Sequence, residues 1–293
     1  MCTGWHDARG AALVSAHSSV EFGVLILEAS LGPVSKNEWA LFMKQSVTLE
    51  VCVDSIESAL AAERGGAHRV ELCGTLAEGG VTPSAGLIAM VREKLTIGLH
   101  VMIRPRDSDF CYSDEEFGIM QRDIREAKQL GADGVVFGIL NVDGKIDAQR
   151  TKQLVELAAP LKVTFHRAFD MTSDLMASLR DLKSTGVHCV LTSGGQQTAA
   201  EGAAILKRLV EASNNGISIM AASGIEADNV AELLRRTGVR EVHASLRSTV
   251  PSSMHYQNQR VSMGVSKGRE YQRYVVDQEK VRMLLSAASH EIR

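Results

Sequence analysis

Leu49-Glu-Val-Cys-Val-Asp54 opens a ladder in which a short apolar run is followed by a stretch with helical spacing, and the pattern recurs eight times before Ser248. The later runs are Arg69-Val-Glu-Leu-Cys-Gly74, Gly98-Leu-His-Val-Met-Ile-Arg-Pro105, Gly134-Val-Val-Phe-Gly-Ile-Leu140, Lys162-Val-Thr-Phe-His-Arg-Ala-Phe169, Cys189-Val-Leu-Thr-Ser-Gly-Gly195, Ser218-Ile-Met-Ala-Ala-Ser-Gly-Ile225 and Glu241-Val-His-Ala-Ser-Leu-Arg-Ser248. Each has the length and the Val, Ile, Leu or Phe content of a buried parallel strand. Between them, Ile56, Leu60 and Ala61, then Leu87, Met90 and Val91, then Leu154, Val155 and Ala158, and later Val230, Leu233 and Leu234 put apolar side chains on one helical face.

The joints agree. Asp54 stands three residues before Glu57 and Ser113 three before Glu116, the spacing of a side-chain cap, while Glu226 and Asp228 place acids at another helix start. Gly65-Gly66-Ala67, Gly131-Ala132, Gly186-Val187 and Gly238-Val239 are suited to left-handed helix C-termini. Alternating strand and helix eight times predicts a (β/α)8 TIM barrel, with an open doubly wound sheet as the runner-up.

A chain of 293 residues with 45% apolar content supports one large core, so residues 47–293 are expected to form a single barrel domain. The net charge of -3 and the scattered basic residues argue against nucleic acid as a partner. No apolar run reaches the length of a membrane span. Five cysteines without dense spacing imply reduced thiols and a cytoplasmic chain, and a reduced thiol can ligate a soft metal. Residues 1–46 do not fit the ladder. With Arg9 as their one arginine and with Asp7, Glu21, Glu28 and Glu38, they are unlike an Arg-rich, acid-poor presequence and are expected to be a poorly ordered or loosely docked extension. The polar stretch from Thr249 to about Val276, before a closing helix from Asp277 to about Ala288, reads as a lid or an oligomer contact.

Side chains alternate along a barrel strand between lumen and helix layer, so polar residues at every second position face inward. Strand one then offers Glu50, Cys52 and Asp54, strand two Glu71 and Cys73, and strand three His100, Met102 and Arg104. Strand five gives Thr164 and His166, strand six Thr192, and strand eight His243 and Ser245. Buried charges need partners, so Glu50, Glu71 and Arg104 are expected to form an ion-paired cluster, either a plug or a ligand site. Cys52 and Cys73 fall in equal phase on adjoining strands about 4.8 Å apart. With Met102, His100 or His166 nearby they suit Cu(I), although most free cysteines are simply small buried hydrophobes. The glycine turns at Gly194, Gly195 and Gly224, with Arg106 nearby, have free N–H groups for an anion, or serve only as the turns that every strand-to-helix joint requires.

With the strands in place, Leu49-Glu-Val-Cys-Val-Asp54, Arg69-Val-Glu-Leu-Cys73, Glu78-Gly-Gly-Val-Thr-Pro-Ser84, Met102-Ile-Arg-Pro-Arg106, Asp109-Phe-Cys-Tyr-Ser-Asp114 and Val163-Thr-Phe-His-Arg-Ala-Phe-Asp-Met171 resemble the CutC copper homeostasis family. Leu191-Thr-Ser-Gly194 and Glu241-Val-His-Ala-Ser245 match as well, and the similarity spans about Ser46 to Ala288. The resemblance implies the same barrel, a cytoplasmic address with the nucleus as a second one in animal members, a subunit that self-associates as a dimer or tetramer, and copper handling through Cu(I). Carried over by motif, Cys52 and Cys73 are the copper thiols, and Glu50, Glu71, Arg104, Arg106, His166, Arg167 and Asp170 are the polar set at the strand ends. A second reading is an enzyme acting on a small phosphorylated or carboxylated metabolite. There Glu50 or Glu71 is the general base, His166 an acid or base, and Arg104 and Arg106 hold the anion with Gly194, Gly195 and Gly224.

Overall fold

The computed structural model describes residues 47–214, 216–263 and 270–290, and residues 1–46, read above as an extension, lie outside them. The barrel lies within one compact unit, Ser46–Arg293. Its strands are β1 (Thr48–Val53), β2 (Arg69–Leu72), β3 (Gly98–Met102), β4 (Gly134–Phe137), β5 (Lys162–Phe165), β6 (Cys189–Thr192), β7 (Ser218–Ala222) and β8 (Glu241–Ala244). Each pairs in parallel with the next, and β8 pairs with β1, so the sheet closes on itself and the open alternative is excluded.

In β1 and β2 the alternation works as the sequence predicts. Leu49, Val51, Val53, Val70 and Leu72 are fully buried on the helix side and belong to the main core. Smaller apolar groups lie apart from it, one of Cys189, Leu191, Met220 and Ala222 and another of Cys73, Met102 and Val136. The surrounding helices are α1 (Ile56–Gly65), α2 (Ala85–Lys94), α3 (Asp114–Gln129), α4 (Ala148–Ala158), α5 (Leu175–Lys183), α6 (Ala203–Ser213), α7 (Val230–Thr237) and α8 (Gln278–His290).

Local chemistry explains their ends. The Ser113 and Glu116 capping box is complete, and Gly66, Gly131, Gly186 and Gly238 take φ of 97, 83, 85 and 75°, where a side chain would be strained. At α1 the cap is Ser55, whose hydroxyl accepts from Ser58 N–H, and not Asp54 as the Glu57 spacing suggests. The stretch after β8 begins and ends as an antiparallel ribbon of β9 (Arg247–Pro251) and β10 (Gln272–Val276). It is tied to α1 by the Arg273–Glu57 ion pair and by Val276 N–H donating to Ser58 Oγ. No described helix is long and apolar enough to cross a membrane.

Candidate functional site

Register decides the height of each side chain in the lumen. Glu50 lies opposite Arg69 on one side and His243 on the other, and Cys52 lies opposite Glu71. The floor is therefore built on Glu50, which is wholly buried. Its carboxylate meets Arg69 Nε at 2.6 Å, His243 Nδ1 at 2.7 Å and His100 Nδ1 at 3.5 Å. Arg69 also reaches Glu241 at 2.6 Å. Burial pushes the Glu50 carboxyl up, but Arg69 first and then His243 and His100 outweigh it and hold it well below the usual carboxylate range.

One layer higher, a cavity of about 320 Å³ opens at the C-terminal mouth, lined by Cys52, Glu71, Met102, Leu191 and His243 from the barrel strands and by Leu76, Glu78, Gly79, Arg104, Phe110, His166, Arg167, Ala168 and Arg247 from the segments beyond. Glu71 Oε2 lies 3.5 Å from Cys73 Sγ, which donates to it, and 3.8 Å from His243 Nε2. Glu71 Oε1 is buried with no hydrogen-bond partner among the described residues. Burial drives this carboxyl up to about 6, with the Glu50 charge adding to the rise and His243 opposing it. Burial works against protonation of His243, but Glu71, Cys52 and Glu50 outweigh it and raise its pKa well above the usual value. One ligand atom each from Glu50, Glu71 and His243 lies within 4.8 Å of the others, a spacing that could hold a cation.

The same cavity is lined beyond β5 by His166 and beyond β3 by Arg104. Gly138 lies where any Cβ would fall 2.5 Å from His166 Nδ1, so the glycine is what admits the imidazole. Nδ1 accepts from Ala168 N–H at 3.2 Å, and Nε2 is buried and unpartnered among the described residues. Burial, and then the Arg104 charge, lower its pKa to about 3. Arg104 donates to the carbonyls of Glu78, Gly80 and Ser108, each at 2.9 Å. It also lies over the Phe110 ring, 5.0 Å from the centroid.

Several expectations change here. The guanidinium that compensates the floor is Arg69's, and the Glu50, Glu71 and Arg104 cluster does not form, because Arg104 sits at the mouth and is bonded to loop carbonyls. Cys73 is not directly across from Cys52. The register places it diagonally, one step past Glu71, fully buried against Met102 and Val136 and outside the cavity lining. Burial, then the charge of Glu71, push its thiol well above the usual range. Arg106 is absent from the cavity lining and is paired to Glu116 at 2.6 Å and Asp109 at 3.0 Å. The turn at Gly194 and Gly195 holds an internal anion already: Asp170 accepts from Ser193 N–H, Gly195 N–H and the Thr192 and Ser193 hydroxyls, and pairs with Arg167 at 2.8 Å. Gly224 is outside the cavity lining, its carbonyl accepting from Asn229 Nδ2. Asp54 is absent from that lining as well, and Thr192 is turned to Asp170 while Leu191 faces the cavity. Reading the sequence misses Arg69 and Glu241 although the two-residue period that selects Glu71 and His243 also reaches them.

Fold and site together define a (β/α)8 barrel with a polar, carboxylate- and histidine-bearing cavity at the mouth of its lumen. The chain belongs to the CutC family, which it matches over residues 47–248. It is 49% identical to the human copper homeostasis protein cutC homolog, over 83% of this chain and 89% of that one. It is 46% identical to a family protein CutC of Chromobacterium violaceum, over 82% and 97%. The solved CutC structure from Streptococcus agalactiae superposes with a TM-score of 0.65 at 35% identity, covering 68% of this chain and 98% of that one.

Proposed function

We propose that the chain serves copper homeostasis by binding Cu(I) as cargo at the inner edge of the mouth cavity, with Cys52 as the thiol the cavity reaches and Cys73 as the second thiol behind it. The observation that supports this reading most directly is the convergence of soft donors. The Cys52 thiol and the Met102 thioether line the same cavity, and Cys73 packs against Met102. Thiolate and thioether sulfur are the ligands that favour Cu(I) over harder ions. Both thiols must lose protons to bind, and Glu71, already the acceptor for Cys73, stands where it can take one. Anaerobic Cu(I) titration against a competing chelator tests it. Parent protein is expected to bind about one Cu(I) per chain, and a Cys52→Ser, Cys73→Ser double variant to lose it. A double variant that holds Cu(I) as tightly as the parent ends the proposal.

A second reading, acid–base chemistry on a small organic anion, is favoured by a different observation. Glu71, with a pKa of about 6, faces a cavity that also carries Arg104, Arg167 and Arg247. A carboxyl poised near neutrality can both take and return a proton. Turnover in a screen of small hydroxy- and oxo-acids that disappears with Glu71→Gln would support it, and no turnover with any of them would count against it.

A further inference from the structure

The mouth cavity contains a built acceptor site that neither copper binding nor the Cys52 side explains. His166 accepts at Nδ1 from Ala168 N–H, so the neutral ring carries its proton on Nε2. That N–H is a donor in a side chain only 4% exposed, and it has no acceptor among the described residues. A buried donor left unmade costs about 1–3 kcal/mol, so its retention calls for a ligand atom. Beside it, Arg104 is 6% exposed and no carboxylate pairs with it among the described residues. Its acceptors at Glu78, Gly80 and Ser108 are neutral carbonyls, and burial keeps the neighbouring Tyr112 phenol neutral by pushing it up to about 12. The positive charge is thus fixed by neutral dipoles and remains uncompensated. In the same cavity, Glu71 Oε1 is an acceptor without a donor among the described residues.

We propose that His166 and Arg104 form a subsite for the carboxylate of a small hydroxycarboxylate, with His166 Nε2–H donating to a carboxylate oxygen, Arg104 supplying the charge, and Glu71 Oε1 accepting from the hydroxyl. This deepens the acid–base reading and rests on the same cavity, but it is a statement about binding. The volume of about 320 Å³ has room for a small ligand of this class. A neutral imidazole beside a carboxylate is the arrangement that lets a histidine donate without adding a second buried charge to that of Arg104.

Glycolate, the smallest member of the class, is the probe, with acetate as the carboxylate lacking the hydroxyl. The full chain labelled with 15N at histidine gives the His166 ring resonances directly. In the free protein they are expected to show the neutral Nε2–H tautomer from pH 5 to 8, and glycolate is expected to move Nε2 saturably at millimolar concentration. Acetate should move it too, with at least threefold weaker affinity, and Glu71→Gln should change glycolate affinity without changing acetate affinity. Arg104 anchors three loop carbonyls, so its removal risks unfolding; His166→Asn is the second variant, read by calorimetry, and should lose both ligands at least tenfold. The proposal is overturned by an Nδ1–H tautomer, by an Nε2 resonance that glycolate leaves in place, or by glycolate and acetate binding equally well. Binding without turnover of any acid would sink the catalytic reading and leave this one standing, because the resonance reports occupancy alone.

Discussion

The floor and the mouth of the lumen are made from the same chemical types, yet they differ in whether their carboxylates and guanidinium groups pair with one another. On the floor, both oxygens of Glu50 are taken, and Arg69 is shared between Glu50 and Glu241. At the mouth, Glu71 Oε1 and His166 Nε2 have no partner among the described residues, and Arg104 meets only neutral acceptors. Buried polar groups are normally satisfied, so unsatisfied atoms that also line a cavity mark where a ligand belongs. The two lumen carboxylates are thus two different things: Glu50 completes a plug, and Glu71 awaits a partner.

The sharpest way to break this contrast is Arg69→Met. Removing one member of a buried pair leaves the other charge exposed to a low dielectric, which costs about 3–5 kcal/mol. Glu71→Gln should cost under about 1 kcal/mol, because it replaces a carboxyl that burial already disfavours in its charged form. Urea denaturation of the two variants at neutral pH measures both. If Arg69→Met is as well tolerated as Glu71→Gln, the floor is not a structural plug and the two layers are alike.

A smaller effect is expected at Asp170, which occupies the turn that would otherwise be open to an external anion. Asp170→Ala should lose about 2–3 kcal/mol, the scale of hydrogen bonds to a charged group, and acetate or phosphate should restore part of the lost melting temperature. The Arg167 side chain and the Ser193 and Gly195 N–H groups would still be there to hold the added ion. Melting temperatures of the variant that ignore acetate and phosphate while responding to neither would show that the turn is merely a glycine joint and not an anion cradle.

How much of this was legible in the chain follows from what a two-residue period encodes. It encodes the face of each strand and so places Glu50, Cys52, Glu71, Met102 and His243 inward, and the left-handed glycines at 66, 131, 186 and 238 mark where helices end. It does not encode height. The stagger of strands in a closed barrel sets which residues share a layer, and that stagger puts Glu71, not Cys73, level with Cys52 and brings Arg69 level with Glu50. Contacts made by loops are less legible still. Arg104 finds Glu78, Gly80 and Ser108, and Asp170 finds Ser193 and Gly195, only after the chain has folded back on itself. Thr192-Ser-Gly-Gly195 reads as a place for an external anion and is silent about Asp170, whose carboxylate accepts from the Ser193 and Gly195 N–H groups.

Acidity offers a comparison within the mouth itself. His166 has a folded pKa of about 3 against an unfolded value near 6.5, so between those values the folded state binds fewer protons than the unfolded one. Its contribution to stability is complete above the unfolded pKa and is lost as pH falls through 6.5 toward 3, by about 2 kcal/mol at pH 5. His243 runs the other way: its raised pKa favours the fold below the unfolded value and that contribution fades as pH rises through the folded one. The difference between parent and His166→Asn unfolding curves from pH 7.5 to 5 isolates the first effect. A difference that stays flat over that window would mean that His166 titrates normally and that the mouth is wetter than its burial implies.

The faintest expected effect lies outside the barrel, and it sharpens the contrast by supplying a zero. Arg273 and Glu57 form an ion pair at 2.9 Å between β10 and α1, with 58% and 53% of their side chains exposed. An exposed pair gains little from Coulomb attraction in water and loses side-chain freedom, so Arg273→Ala should cost no more than about 0.5 kcal/mol. The same guanidinium–carboxylate contact at 2.6 Å between Arg69 and Glu50 should cost several times that, because there the carboxylate has no water to fall back on. Measured side by side in urea, the two arginines separate the effect of burial from the effect of distance. Equal losses would mean that contact length sets the energy and that the lumen floor owes nothing special to being dry.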